Sequence, residues 1–267
     1  MENDEEIKRL ELKTDAAVVE AYALRAGLEQ GMRAADVFCG TGRTSSVLGR
    51  LVGNEGSVVG FDASDERIRF AREHYASETV RFVAADATEP FQEQGTFDFV
   101  WIRFALEYFR KESFDIVKNA SRLLKPGGIL CLIDLDHNCL NHYGIEPRLE
   151  AALTDAIRQI EEKTNFDPYM GRKLYSYLYR LGYEGIRAEA GAHHLIYGEL
   201  GEVDRYNWVQ KIKTITKNPD IAISGYASVE DFLSEFVRFF SDPGRFTYTP
   251  VIACSGRKPS GPEPHHA

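Results

Sequence analysis

The apolar positions of the chain switch repeatedly between a strand-like and a helix-like period. Short β-branched and aromatic runs at 34–39, 57–62, 80–87, 97–102 and 129–133 read as strands bounded by glycine, proline or acidic residues. Helical spacing fills the gaps at 41–52 and 64–76, where Ile68, Phe70 and Ala71 fall toward a sheet and Asp65, Glu66 and Arg67 toward water. A leading helix spans 5 to about 28, with Ile7, Leu10, Leu12, Ala16, Val19, Ala23 and Leu24 forming its apolar stripe. Further helices are predicted at 147–163 and from 167 to about 181, where Pro168 suits a first turn capped by Asp167. A sixth strand follows at 185–194, then helices at 203–217 and 229–240, then a final strand at 246–254. Strands alternating with helices imply an α/β domain with a doubly wound, mostly parallel sheet.

The first strand runs into Phe38-Cys39-Gly40-Thr41-Gly42-Arg43. Two glycines separated by one residue suit a sharp turn beneath a ligand, and they equally suit an ordinary tight βα turn. The second strand closes on Asp62, which can accept ribose hydroxyls over such a turn or can cap the next helix together with Ala63 and Ser64. Cys39 is a reactive thiol at a helix start or a small packed residue. The third strand ends on a further acid, Asp86, and Leu123-Leu124-Lys125-Pro126-Gly127-Gly128 reads as a helix end and turn before the fifth strand.

Taken together, the glycine turn, the acids ending strands two and three, and the Lys-Pro-Gly-Gly turn resemble the class I S-adenosylmethionine-dependent methyltransferases. The resemblance implies a Rossmann-like seven-stranded sheet whose last strand inserts antiparallel beside the fifth, and S-adenosyl-L-methionine as cofactor. It places Gly40 and Gly42 by the methionine portion, Asp36 at the amino-acid end, Asp62 and Ala63 at the ribose, Asp86 and Ala87 at the adenine, and Arg103 beside the cofactor. For Arg103 a structural ion pair with Glu107 is the alternative. The family usually carries a third glycine where Phe38 stands, and histidine is common where this chain has Tyr108. The Asp167-Pro168-Tyr169-Met170-Gly171-Arg172 run resembles the branch that includes quinone and natural-product enzymes. On this resemblance residues 1–258 form one domain, with a helical insertion near 197–243 as substrate cover and a flexible tail at 259–267.

Composition narrows the partners. Of 267 residues, 41 are Asp or Glu against 32 Lys or Arg, for a net charge of −9, which repels nucleic acid at long range and favours a small-molecule acceptor. No apolar run approaches the roughly 20 residues a membrane span needs. The acidic start lacks the features of a secretory signal, and four cysteines without a C-x-x-C pair suit a reducing cytoplasm.

For chemistry, Tyr108 and His137 are the candidate proton acceptors, and Tyr169 and Arg172 the candidate acceptor-binding residues. Asp134 and Asp136 invite a metal, but two oxygen donors fall short of what a hard cation needs, so the expectation is a metal-free displacement. His142, His193 and His194 are too scattered for a ligand-spacing argument. A nucleotide-dependent oxidoreductase is the alternative reading, disfavoured because Gly40-Thr41-Gly42-Arg43-Thr44-Ser45 lacks the third glycine of G-x-G-x-x-G. A non-catalytic cofactor-binding protein is another.

Overall fold

The computed structural model describes residues 11, 14–137 and 141–261. Ile7, Leu10 and Leu12 of the expected leading helix, Cys139, and positions 262–267 of the expected tail lie outside the described residues.

Five parallel strands form the body of the sheet: β1 (Arg33–Val37), β2 (Ser57–Asp62), β3 (Val80–Ala84), β4 (Phe97–Arg103) and β5 (Leu124–Leu135), in the order β3-β2-β1-β4-β5. Strand order reverses at β1, between β2 and β4, so a crevice opens at the C-terminal ends of β1 and β4. The last strand, β8 (Phe246–Arg257), pairs antiparallel with β5 from Leu135↔Val251 to Ile129↔Arg257. Its other edge carries β7 (Glu184–Tyr197), also antiparallel. A two-residue strand, β6 (His142–Tyr143), pairs with Phe246 and Thr247, so the sheet has eight strands where seven were expected. β5 also starts earlier than predicted, because Lys125-Pro126-Gly127-Gly128 is absorbed into the strand through a register shift opposite Phe97 and Phe99.

Both faces of the central strands are covered, which is why their sequences are nearly continuously apolar. Ala35, Val37, Val100, Ile102, Leu130 and Leu132 face one core layer with α4 (Ser113–Ser121) and α6 (Leu174–Arg180). Ala34, Val58, Phe99, Trp101, Cys131 and Ile133 face the other, under α1 (Ala16–Ala26), α2 (Arg43–Val52) and α3 (Asp65–Tyr75). Burying such side chains contributes about 1.5–3 kcal/mol each. A third apolar cluster joins α5 (Pro147–Lys163), α7 (Glu202–Lys217) and α8 (Val229–Phe240) around Trp208, Phe232, Phe236 and Phe240. This helical cluster therefore draws on α5 as well as on the segment between the last two strands.

Three local expectations change. The leading helix is interrupted, because Asp15 caps a fresh start by accepting from the N–H groups of Ala17 and Val18. Phe70 lies half-buried and stacks on His74, so only Ile68 and Ala71 of α3 enter the core. Asp167 caps a turn rather than a helix, accepting from Tyr169 N–H and pairing with Lys173; the helix proper begins at Leu174 after a 3₁₀ turn at Gly171–Lys173.

Gly42 shows how tightly the first turn is built. Its φ is +90°, and a Cβ there would sit 2.7 Å from the Phe82 ring and 2.9 Å from Ala71 Cβ. Gly42→Ala should therefore cost about 2–4 kcal/mol from a left-handed backbone and overpacking together. A denaturant titration checks this, and trimming the ring in Gly42→Ala/Phe82→Leu should recover part of the loss.

Candidate functional site

The C-terminal edge of the sheet concentrates unusual backbone. Phe38 after β1, Phe104 after β4 and His137 after β5 have positive φ, at +64°, +55° and +50°. These are left-handed conformations that cost an ordinary residue energy and cluster where function requires a fixed geometry. Phe38 thus adopts a glycine-like backbone without being glycine. Its ring is partly buried against the core layer of Val37, Val100 and Ile102 and packs on Phe109 with centroids 5.3 Å apart.

Asp62 organises the cradle. Its Oδ2 accepts the Gly40 N–H at 2.9 Å, and its Oδ1 accepts the Ser64 N–H at 3.0 Å and both Nε and Nη2 of Arg67, at 3.1 and 2.8 Å. Arg67 is therefore folded back on the carboxylate, not turned to water as the helical pattern predicted. Oδ1 is saturated and Oδ2 retains capacity for a further donor, such as one ribose hydroxyl. Gly40 has φ +56°, and the room made by Gly42 is taken by Phe82 and Ala71. Ala63 is exposed beside Asp62. Beyond β3, Asp86 is exposed at a turn and accepts from the Thr88 N–H and hydroxyl, while Ala87 is buried with its carbonyl accepting from Asn119. The ends of β1, β2 and β3 thus line up a backbone N–H turn and two carboxylates along one edge. That donor and acceptor set fits a nucleoside.

Asp36 lies beneath this turn, buried, with Oδ2 accepting from the Ser45 hydroxyl at 2.6 Å. Burial pushes its carboxyl up to about 7, opposed by the Ser45 hydrogen bond and the Arg103 charge. Arg103 packs its guanidinium 4.1 Å over the Phe104 ring, in the field of Asp36, Tyr22, Asp134 and Asp15, and burial lowers its pKa to about 10. Glu107, its alternative partner, is itself buried and faces Asp134. Cys39 is packed against Gly60, and burial holds its thiol well above the usual range, so it is the small packed residue of the two readings.

The other candidates separate into two groups. His137, Tyr169, Arg172 and Asp136 come together: Arg172 donates Nε and Nη2 to the Asp136 carboxylate at 2.8 and 3.0 Å and lies over the Tyr169 ring, on which His137 stacks. That fork is held by Asp136, while the Arg172 side chain stays more than half exposed. Asp134 points inward, fully buried, and accepts from the Glu107 and Leu135 N–H groups, so the two acids do not share a site. Tyr108 is half exposed and its ring meets Phe166.

A cavity of about 200 Å³ opens where α1, β4, β7, β8 and α7 meet, and its wall includes Asp15, Tyr22, Arg103, Phe104, His193 and His194. Of the residues predicted for the site, it contains Arg103 alone. Sequence reading also missed Glu11, which accepts from Thr41 Oγ1 at 2.6 Å and from Arg43, tying the segment ahead of α1 to the glycine turn. The Asp15 cap was readable in principle; nothing local marks Glu11 or the histidines.

Residues 34–128 match the family described as Methyltransferase domain. A demethylmenaquinone methyltransferase of Staphylococcus aureus is 40% identical over 108 residues, covering 40% of this chain and 44% of that protein. The match thus spans less than half the length of the relative. The fold resembles YcgJ of Bacillus subtilis, with a TM-score of 0.60 at 17% identity over 92% of this chain and 100% of that one. It also resembles phosphoethanolamine N-methyltransferase 2 of Haemonchus contortus, solved with phosphomonomethylethanolamine and S-adenosylhomocysteine. There the TM-score is 0.57 at 15% identity, over 91% of this chain and 52% of that one. At such identities the likeness is one of fold.

The proton on Asp36 has a measurable signature. The folded chain holds it up to about pH 7, whereas the ordinary value for an aspartate is 3.8. Its contribution therefore favours folding below about pH 4 and is lost as pH rises to about 7. Asp36→Asn, which can still accept from Ser45, should gain stability over the parent across that window, by about 1–3 kcal/mol at pH 8. Thermal melts of both proteins at pH 5 and 8 check it; an equal gap at the two values would mean that Asp36 is ionised throughout.

Proposed function

We propose that this chain, whose residues 34–128 match the methyltransferase domain family and whose fold is of the class I type, transfers the methyl group of S-adenosyl-L-methionine to a small organic acceptor. The observation that carries the reading is the bond from Gly40 N–H to Asp62 Oδ2, which sets the glycine turn against the acid ending β2 as a ribose and methionine cradle. Asp62 and Ala63 would take the ribose, Asp86 and Ala87 the adenine edge. Gly40, Asp36 and Arg103 would meet the amino-acid end, with Gly42 shaping the turn.

The donor supplies an already activated methyl on a cationic sulfur. What falls to the chain is alignment and exclusion of water. The Arg103 guanidinium, in the field of Asp36, Tyr22, Asp134 and Asp15, supplies a positive charge for the carboxylate of the amino-acid end. Among the described residues no group of three or more His, Cys, Asp or Glu is placed to hold a metal ion. Asp136 is paired with Arg172 and Asp134 is buried, so the displacement we propose is metal-independent. The net charge of −9 disfavours a nucleic-acid acceptor. Among the described residues no helix is long and apolar enough to cross a membrane. A reducing cytoplasmic setting follows from the cysteine usage as part of the same proposal.

Calorimetry with S-adenosylhomocysteine and with NAD tests the reading; only the former should bind. Asp62→Ala should weaken that binding by more than the roughly 1–3 kcal/mol of a ribose contact, because the Gly40 N–H and Arg67 lose their partner together. Arg67→Gln, which leaves the Gly40 bond intact, should change the affinity by less than about 1 kcal/mol. Turnover should survive exhaustive treatment with EDTA; loss of activity restored by magnesium would return attention to Asp134 and Asp136.

A further inference from the structure

Consecutive residues of a regular strand point to opposite faces, yet His193 and His194 of β7 both line the cavity beside Arg103. The cause is a register shift against β8 between Ala192 and His194, a bulge that re-aims a side chain. The His193 ring then lies 4.5 Å from Phe104 and 4.3 Å from His194, whose ring meets Trp208 of the helical cover at 5.6 Å. Phe104 holds the left-handed backbone that follows β4. A bulge on one strand and a strained residue on another thus converge on one small space. Each has a cost, and bulges and strain of this kind are concentrated at functional sites.

Resting on the methyl-transfer reading above, we infer that this cavity takes the acceptor, a small planar compound with an ionisable hydroxyl, phenol or enol in kind, and that His193 receives its proton. The flat walls are the rings of Phe104, His193 and Tyr22, and about 200 Å³ holds little more than a single substituted ring. The acceptor O–H proton passes to the His193 imidazole. The oxygen lone pair forms the new C–O bond as the C–S pair returns to sulfur, leaving a neutral thioether, and the imidazolium gives its proton to solvent.

The groups facing His193 support that exchange. Asp15 and Tyr22 come from α1, Arg103 from β4, His194 from β7 and Asp204 from α7. The Asp15 and Asp204 carboxylates favour an imidazolium, Arg103 favours an oxyanion, and burial raises the Tyr22 phenol so that it stays neutral. Neither Tyr108 nor His137 lines this space.

The test uses 4-nitrophenol as probe on the chain saturated with S-adenosylhomocysteine, read by the phenolate absorbance across pH. Bound probe should ionise about one pH unit below free probe, a tenfold shift, and the chain should bind 4-nitrophenol at least about tenfold more tightly than 4-nitroanisole, which lacks the proton. His193→Gln should retain S-adenosylhomocysteine affinity and lose the ionisation shift. Equal affinity for phenol and ether, or an unchanged shift in His193→Gln, overturns the assignment while the cofactor reading stands. Failure of S-adenosylhomocysteine itself to bind overturns both.

Discussion

The buried carboxylate of Asp62 holds the ligand edge of this protein together. Its two oxygens gather donors from the glycine turn after β1, from the start of α3 and from the Arg67 side chain. Remove that carboxylate and the N–H of Gly40, the N–H of Ser64 and the Arg67 guanidinium lose a partner in the same place. A buried polar cluster is worth keeping only when its members are paired, and here the donors come from two separate segments, the glycine turn and the start of α3. The turn, the second strand and the third helix are consequently fixed in one geometry. Every proposal about the cofactor depends on it.

Around that centre the chain divides its labour. The parallel strands and the helices α1 to α4 present backbone and acids in a nearly fixed frame, while α5, α7 and α8 form an aromatic cluster of their own above β6 and β7. The cavity lies where the two meet, walled by α1 and β4 from the frame and by β7 and α7 from the cover. On the function proposed above, acceptor recognition changes through this helical cluster without disturbing the cradle, in keeping with one fold hosting many functions.

Much of this was legible in the sequence, for reasons that can be named. Strands buried on both faces write continuous apolar runs, so β1, β2 and β4 are legible almost to the residue and Asp62 closes its run, whereas β3 stops at Ala84 and Asp86 lies in the turn beyond it. What escaped were features set by contact across the fold. Arg67 occupies a helical position that faces water by periodicity, and only the proximity of Asp62 turns it inward. The pairing of Arg172 with Asp136, 36 residues earlier, likewise has no local sign. The histidines of β7 looked scattered because a bulge has no local signature: strict alternation sends one of them out of the site. Phe38 is the opposite case, a departure from the resembled family visible in the sequence whose meaning needed the backbone, since it takes a left-handed conformation that favours glycine.

The position of β8 has a consequence for how the molecule comes into being. The strand made last lies between β5 and β7, and Lys258 at its end donates Nζ to the carbonyls of Ser121 and Leu124 while its backbone pairs with Gly127 and Gly128. Until residue 258 has left the ribosome, both neighbouring strands carry an open edge of unpaired amides. Such edges invite pairing with other chains, and contacts of long sequence separation form slowly. The sheet therefore stays incomplete until residues 246–258 are free to pair, and insertion of β8 between its neighbours is the event that closes it.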